Sequence, residues 1–124
     1  LVSNKELHMA QKFKGKVITA GYDWSIRLSF AGSAVTFPAG SIFTSQVRRD
    51  PNADDVLVTL TSANGGVRRI DDTTLEIRIL GEDTLNWPNR TAYIDVVRTD
   101  IEPYQHLGFQ LSVPVRRAIT RIAP

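Results

Sequence analysis

Catalysis needs groups that converge, and the first group to weigh is the imidazole. Apart from His8 near the start, His106 is the lone histidine, and the chain contains no cysteine. That combination removes Cys–His nucleophilic catalysis and any thiolate or histidine-rich metal site. A Ser–His–Asp arrangement would have to use His106, yet no G-x-S-x-G elbow presents a serine to it. His106 therefore reads as a strand residue on a polar face. Neither G-x-G-x-x-G nor G-x-x-x-x-G-K occurs, so no loop is built to cradle phosphates. These residues predict no enzyme site, no metal and no cofactor.

The carboxylates are the next candidates. Asp54-Asp55 and Asp71-Asp72 invite a calcium or glycosidase reading, but neighbours in extended chain point to opposite sides and no D-x-D-x-D loop gathers their oxygens. Solvated turn residues are the expectation. Asp95 is more informative, because it sits between Ile94 and Val96 inside an apolar strand, where an ionised carboxylate is costly unless paired or turned to solvent. Arg48, at the end of a neighbouring candidate strand, is its expected partner, in a pair that fixes register. Three Arg-Arg pairs (Arg48-Arg49, Arg68-Arg69, Arg116-Arg117) would form a phosphate-binding stripe only on a shared face, and interleaved acids argue against nucleic acid as a partner.

The elements that must position these groups are strands. Val56 to Ile79 alternates with a period of two and is broken at Asn64-Gly65-Gly66 and at Asp71-Asp72, which predicts a three-stranded meander with a primed turn at Asn64-Gly65. Trp24, Ile26, Leu28 and Phe30 alternate with Ser25, Arg27 and Ser29. Ser41 to Arg48, Arg90 to Arg98, Leu107 to Val113 and Val115 to Ile122 follow the same pattern, with Pro114 marking an edge or bend. Pro38 and Gly40 make the stretch after Phe30 a connector. Glu82 to Asn86 predicts one helical turn, with Trp87 packed down as a lid. The expected fold is all-β, an antiparallel sandwich of roughly seven to nine short strands.

The 124 residues, 42% of them hydrophobic, suffice for one domain with a real core. Leu1 to His8 read as a leader left by expression cloning ahead of a native start at Met9. Residues 9–22 read as a basic arm with an edge strand, and 23–124 as a single sandwich domain. All four lysines lie in the first sixteen residues; from Val17 onward eleven arginines meet twelve carboxylates, a difference of −1. The basic balance thus belongs to the arm, which weakens the usual inference from basic charge to nucleic acid. No run approaches the roughly 20 apolar residues of a membrane span.

Laid end to end, a set of short motifs resembles small β-sandwich domains of tailed bacteriophages and prophages, similar to the N-terminal domain of baseplate upper proteins. The motifs are Asp23-Trp24-Ser25-Ile26-Arg27-Leu28, Gln46-Val47-Arg48, Leu60 to Gly66, Thr84-Leu85-Asn86-Trp87, Tyr93-Ile94-Asp95-Val96 and Leu111-Ser112-Val113 through Ile119-Thr120-Arg121. Between Phe30 and Ser41 the chain departs from that pattern, carrying Thr36-Phe37-Pro38-Ala39-Gly40 where a Leu-Thr-Gly is expected. The resemblance implies a tail or baseplate component of the virion, made in the bacterial cytoplasm. It would have no chemistry of its own and would be held by neighbouring tail proteins or by copies of itself in a ring. The candidate interface is Arg68, Arg69, Trp87, Arg116 and Arg117. The other reading is a carbohydrate- or receptor-binding sandwich module, which requires exposed aromatics such as Trp87 and Tyr104 on one loop face.

Overall fold

The computed structural model describes residues 11–32 and 35–121, so the expected leader and the start at Met9 lie outside the described residues. In chain order the strands are β1 (Gln11–Lys14), β2 (Ile18–Ala20), β3 (Trp24–Ser29), β4 (Phe43–Arg48), β5 (Val58–Thr61), β6 (Val67–Asp71) and β7 (Thr74–Ile79). A short helix, α1 (Gly81–Thr84), precedes β8 (Thr91–Ile94), β9 (Val97–Arg98), β10 (Gln105–His106) and β11 (Phe109–Arg117). An eight-stranded sheet and a three-stranded sheet, the latter ordered β3-β7-β6, share one hydrophobic core in an all-β, sandwich-like fold. Most pairs are antiparallel; β1 and β2, from the expected basic arm, both run parallel to β11.

Alternation decides which side chains meet between the layers. Phe43, Val47, Leu60, Ile94, Phe109, Leu111 and Val113 are buried on the large sheet, and Trp24, Leu28, Val67, Leu75, Ile77 and Ile79 on the small one. The connector after β3 supplies Phe37, fully buried, whose ring meets Phe30 at 5.3 Å and Phe43 at 5.2 Å in edge-to-face contacts. Two bonds pin this connector to the β6–β7 turn: Phe37 N–H donates to Asp72 O at 2.7 Å, and Arg69 Nε donates to Phe37 O at 2.8 Å.

Three local expectations change in the fold. Val56 to Ile79 is not one meander, because β6 and β7 form a hairpin while β5 pairs with β4 in the other sheet. Leu60 and Val67 face the same core from opposite layers, so the chain has to switch sheets between them. The switch is made by a loop folded on Asn64, whose Oδ1 accepts the N–H groups of Thr61 and Gly66, both at 2.9 Å. Gly66 lets it pass, since a Cβ there would stand 2.6 Å from Leu60 Cβ. The expected strand Arg90 to Arg98 is split into β8 and β9 around Asp95. Conversely, β11 runs straight through Pro114. Val115 N–H donates to Arg90 O on the β8 side, so position 114 faces the gap between β1 and β2, where no ladder donor is needed.

One corner is closed by backbone approach. Gly81, at the start of α1, packs on the turn between β2 and β3 so closely that a Cβ would lie 2.5 Å from Gly21 O. Asp23 Oδ1, in the turn just before β3, accepts the Gly81 N–H at 2.8 Å and so satisfies a free donor at the start of α1. That bond is the main reason the Asp23 carboxyl titrates below its ordinary range. The Thr84 hydroxyl is fully buried and doubly satisfied: it accepts from Gly21 N–H at 2.9 Å and donates to Gly81 O at 3.0 Å.

Candidate functional site

The outward face of the large sheet gathers polar side chains on paired strands, some engaged and some without a hydrogen bond to the described residues. Its layout follows from register. Arg48 stands beside Tyr93, and Tyr93 beside Ser112. Thr61 stands beside Thr44, Thr44 beside Val97, and Val97 beside His106. Gln46 and Asp95 occupy the row between these two. All of them lie on the side of the strands opposite Phe43, Val47 and Ile94.

The break between β8 and β9 shapes this face. Register runs from His106↔Val97 to Leu111↔Ile94, so Leu107 to Gln110 lie opposite Asp95 and Val96, and the extra residues bulge. Gly108 takes φ +83°, a conformation glycine adopts without strain. Inside the layer, Ser45, almost fully buried, donates its hydroxyl to Asp95 O, and Leu107 N–H reaches Val96 O at 3.1 Å. Outside it, His106 Nε2 lies 2.9 Å from Asp95 Oδ2 while Gly108 N–H donates to His106 Nδ1 at 2.9 Å.

The Asp–His pair has the outline of a catalytic dyad, but its second nitrogen is already occupied by Gly108. A base must have that lone pair free, so the geometry makes His106 a clamp across the bulge. Asp95 raises the pKa of His106, against a smaller opposing effect of burial; a full carboxylate outweighs the amide dipole that favours the neutral ring.

The expected Arg48–Asp95 pair is not what the side chains make. Arg48 Nη1 donates to Ala53 O at 2.9 Å and Asp54 O at 2.6 Å, and Nη2 to Gln46 Oε1 at 2.7 Å. Arg48 lies one row away from Asp95, and the loop after β4 folds its carbonyls back over the guanidinium before Asp95 can compete. Both residues still border one recess of about 650 Å³, together with Thr44, Gln46, Tyr93, Thr99, Tyr104 and Gln110. Beside it, Arg98 grips Asp100 in two parallel bonds of 2.8 and 3.0 Å, and Ile42 N–H adds a third at 3.0 Å. Arg98 and then the Ile42 amide hold the Asp100 carboxyl far below the usual carboxylate range.

The candidate interface residues are dispersed. Arg68 lies on the outer face of the small sheet, where Arg27 and Arg68 flank Glu76 at 3.3 and 3.4 Å. Arg69 turns to Phe37 O and Asp72. Trp87 is half-buried against the core, as a lid would be, which removes it from an aromatic loop face. Arg116 and Arg117 are exposed at the end of β11, where Asn89 Oδ1 accepts the Arg117 N–H at 2.7 Å. The three Arg-Arg pairs therefore share no stripe. The acidic pairs sit in turns: Asp71 Oδ1 accepts Thr73 N–H at 2.9 Å, and Asp55 meets Arg49 at 3.3 Å. Among the described residues no three His, Asp or Glu side chains converge for a metal, and no helix is long and apolar enough to cross a membrane.

Residue types singled out Asp95, Arg48, His106 and Tyr104, whereas Gln46 and Tyr93 entered only as members of short motifs and Gln110 only as a polar position between Phe109 and Leu111. Period two places Tyr93 with Asp95 and Gln46 with Arg48 on one face each. That these faces adjoin depends on strand pairing. No protein-family model matches the chain, and no curated protein matches it.

Proposed function

We propose that this chain is a structural domain of a bacteriophage or prophage virion, belonging to the tail or baseplate and working through protein–protein contacts. The observation that carries the reading is the ordered run of short motifs from Asp23 to Arg121. Several of those residues do architectural tasks: Asp23 satisfies a free donor at the start of α1, Asn64 organises the sheet crossover, and Asp95 is clamped by His106. The side-chain chemistry around the recess gives the reading further support, because Arg48 is already engaged by loop carbonyls, Asp95 by His106, and His106 by Asp95 and the Gly108 amide.

A domain of this kind is gripped at its strand edges and outward faces. β3 and β6 border the small sheet and β5 borders one side of the large sheet, each with a single partner strand. Neighbouring tail proteins, or copies of this chain arranged in a ring, are the partners. Neither nucleic acid nor a membrane is required. The test is quantitative mass spectrometry of tailed particles purified after prophage induction from a strain carrying the gene. A constant ratio of this polypeptide to the tail-tube subunit is expected, with immunogold label on the tail. Particles without the polypeptide would overturn the reading.

A further inference from the structure

The geometry points to the recess on the outer face of the large sheet as a binding site for a neutral saccharide. The argument begins with charge. Arg48 and Asp95 both border the recess, yet the guanidinium is engaged by two carbonyls and Gln46, and the carboxylate by His106. The two charges are opposite in sign and lie one row apart, so the recess lining carries no net charge to favour an anion or a cation, and an uncharged ligand is the complementary one.

The hydrogen-bond inventory narrows the class. The hydroxyls of Tyr93, Tyr104, Thr44 and Thr99 and the amide of Gln110 make no hydrogen bond to the described residues, and all line the same recess. Hydroxyls and amides both donate and accept, which is what a polyol demands of its site. Tyr104, 64% exposed at the rim, supplies an aromatic face with a polar tip, on which the C–H-bearing face of a pyranose ring can lie. An apolar ligand would leave these groups unpaired.

The site is also preformed. Gln46, Tyr93 and Gln110 stand on paired strands, and the Asp95–His106–Gly108 clamp holds the bulge beside them. A recess of about 650 Å³ falls within the range of small-ligand sites, roughly 300–1,000 Å³. Nothing in this inference requires the chain to come from a virion; a tail domain and a free-standing module would present the same face.

The test is an NMR titration of the ¹⁵N-labelled full chain with glucose, galactose, N-acetylglucosamine and rhamnose and with maltose, lactose and chitobiose. At least one sugar is expected to move backbone amides of β4, β8 and residues 104–110 with a Kd on the order of millimolar, and inorganic phosphate should leave them still. Tyr104→Ala, at an exposed position that tolerates change, should weaken binding roughly five- to tenfold, the loss of one aromatic contact. Gln110→Ala should weaken it by several-fold while the far small-sheet amides stay unmoved. The inference is overturned if no sugar shifts these amides, if the shifts map elsewhere, if Tyr104→Ala binds as well as the parent, or if phosphate binds in the recess.

Discussion

Replacing Thr84 by valine isolates one buried hydroxyl and so tests how the α1 corner is held. Valine keeps the shape of threonine and removes both the bond accepted from Gly21 N–H and the bond donated to Gly81 O. Each neutral bond contributes about 1 kcal/mol, and leaving the partly buried Gly21 N–H and the buried Gly81 O without the hydroxyl as partner adds a further cost of about 1 kcal/mol. The two effects overlap, giving an expected loss of about 2–3 kcal/mol, a large share of the 5–15 kcal/mol typical of a domain. At roughly 4 °C per kcal/mol for a chain of this size, Tm should fall by about 8–12 °C. Urea unfolding followed by fluorescence of Trp24 and Trp87 measures it, with the midpoint shifted and the slope unchanged. Thr84→Ser is the control: it keeps the hydroxyl and removes a methyl, so it should lose only about 1 kcal/mol. A valine variant as stable as the parent, or a serine variant less stable than the valine one, would refute the assignment of the hydroxyl as the fastener.

Other outcomes follow from the same geometry. Phe37→Ala empties the contact between Phe30 and Phe43 and should destabilise by about 3–5 kcal/mol, read as a lower urea midpoint. The raised pKa of His106 means that its pairing with Asp95 adds most stability below the unfolded value of 6.5, and that this contribution fades as pH rises through the folded value. Asp95→Asn should therefore lower Tm more at about pH 5.5 than at about pH 8.5, and equal losses at both would exclude the charged pair. Asp100 has the opposite sign: its lowered pKa contributes stability above the unfolded value of 3.8 that is lost as pH falls through the folded value. Asp100→Asn should lower Tm near neutrality, with the gap to the parent closing in acid; a gap that widens on acidification would refute it.

Alternation along the chain was enough to read the all-β class and the shared faces of Trp24 with Leu28 and of Leu107, Phe109, Leu111 and Val113, while Pro38 and Gly40 marked the connector. These are local properties, since a pleated backbone assigns each side chain to one of two faces whatever strand lies beside it. Neighbours are not local. Only the folded molecule decided that β5 pairs with β4 rather than β6, that Pro114 falls where no donor is needed, and that the bulge at Gly108 delivers His106 to Asp95 while loop carbonyls take Arg48. A charged side chain pairs with whichever group packing brings within about 3 Å, and that distance is set by register and bulges between strands far apart in sequence. The recess has the same origin: Gln46, Tyr93 and Gln110 come from three strands, and only their pairing makes one surface of them.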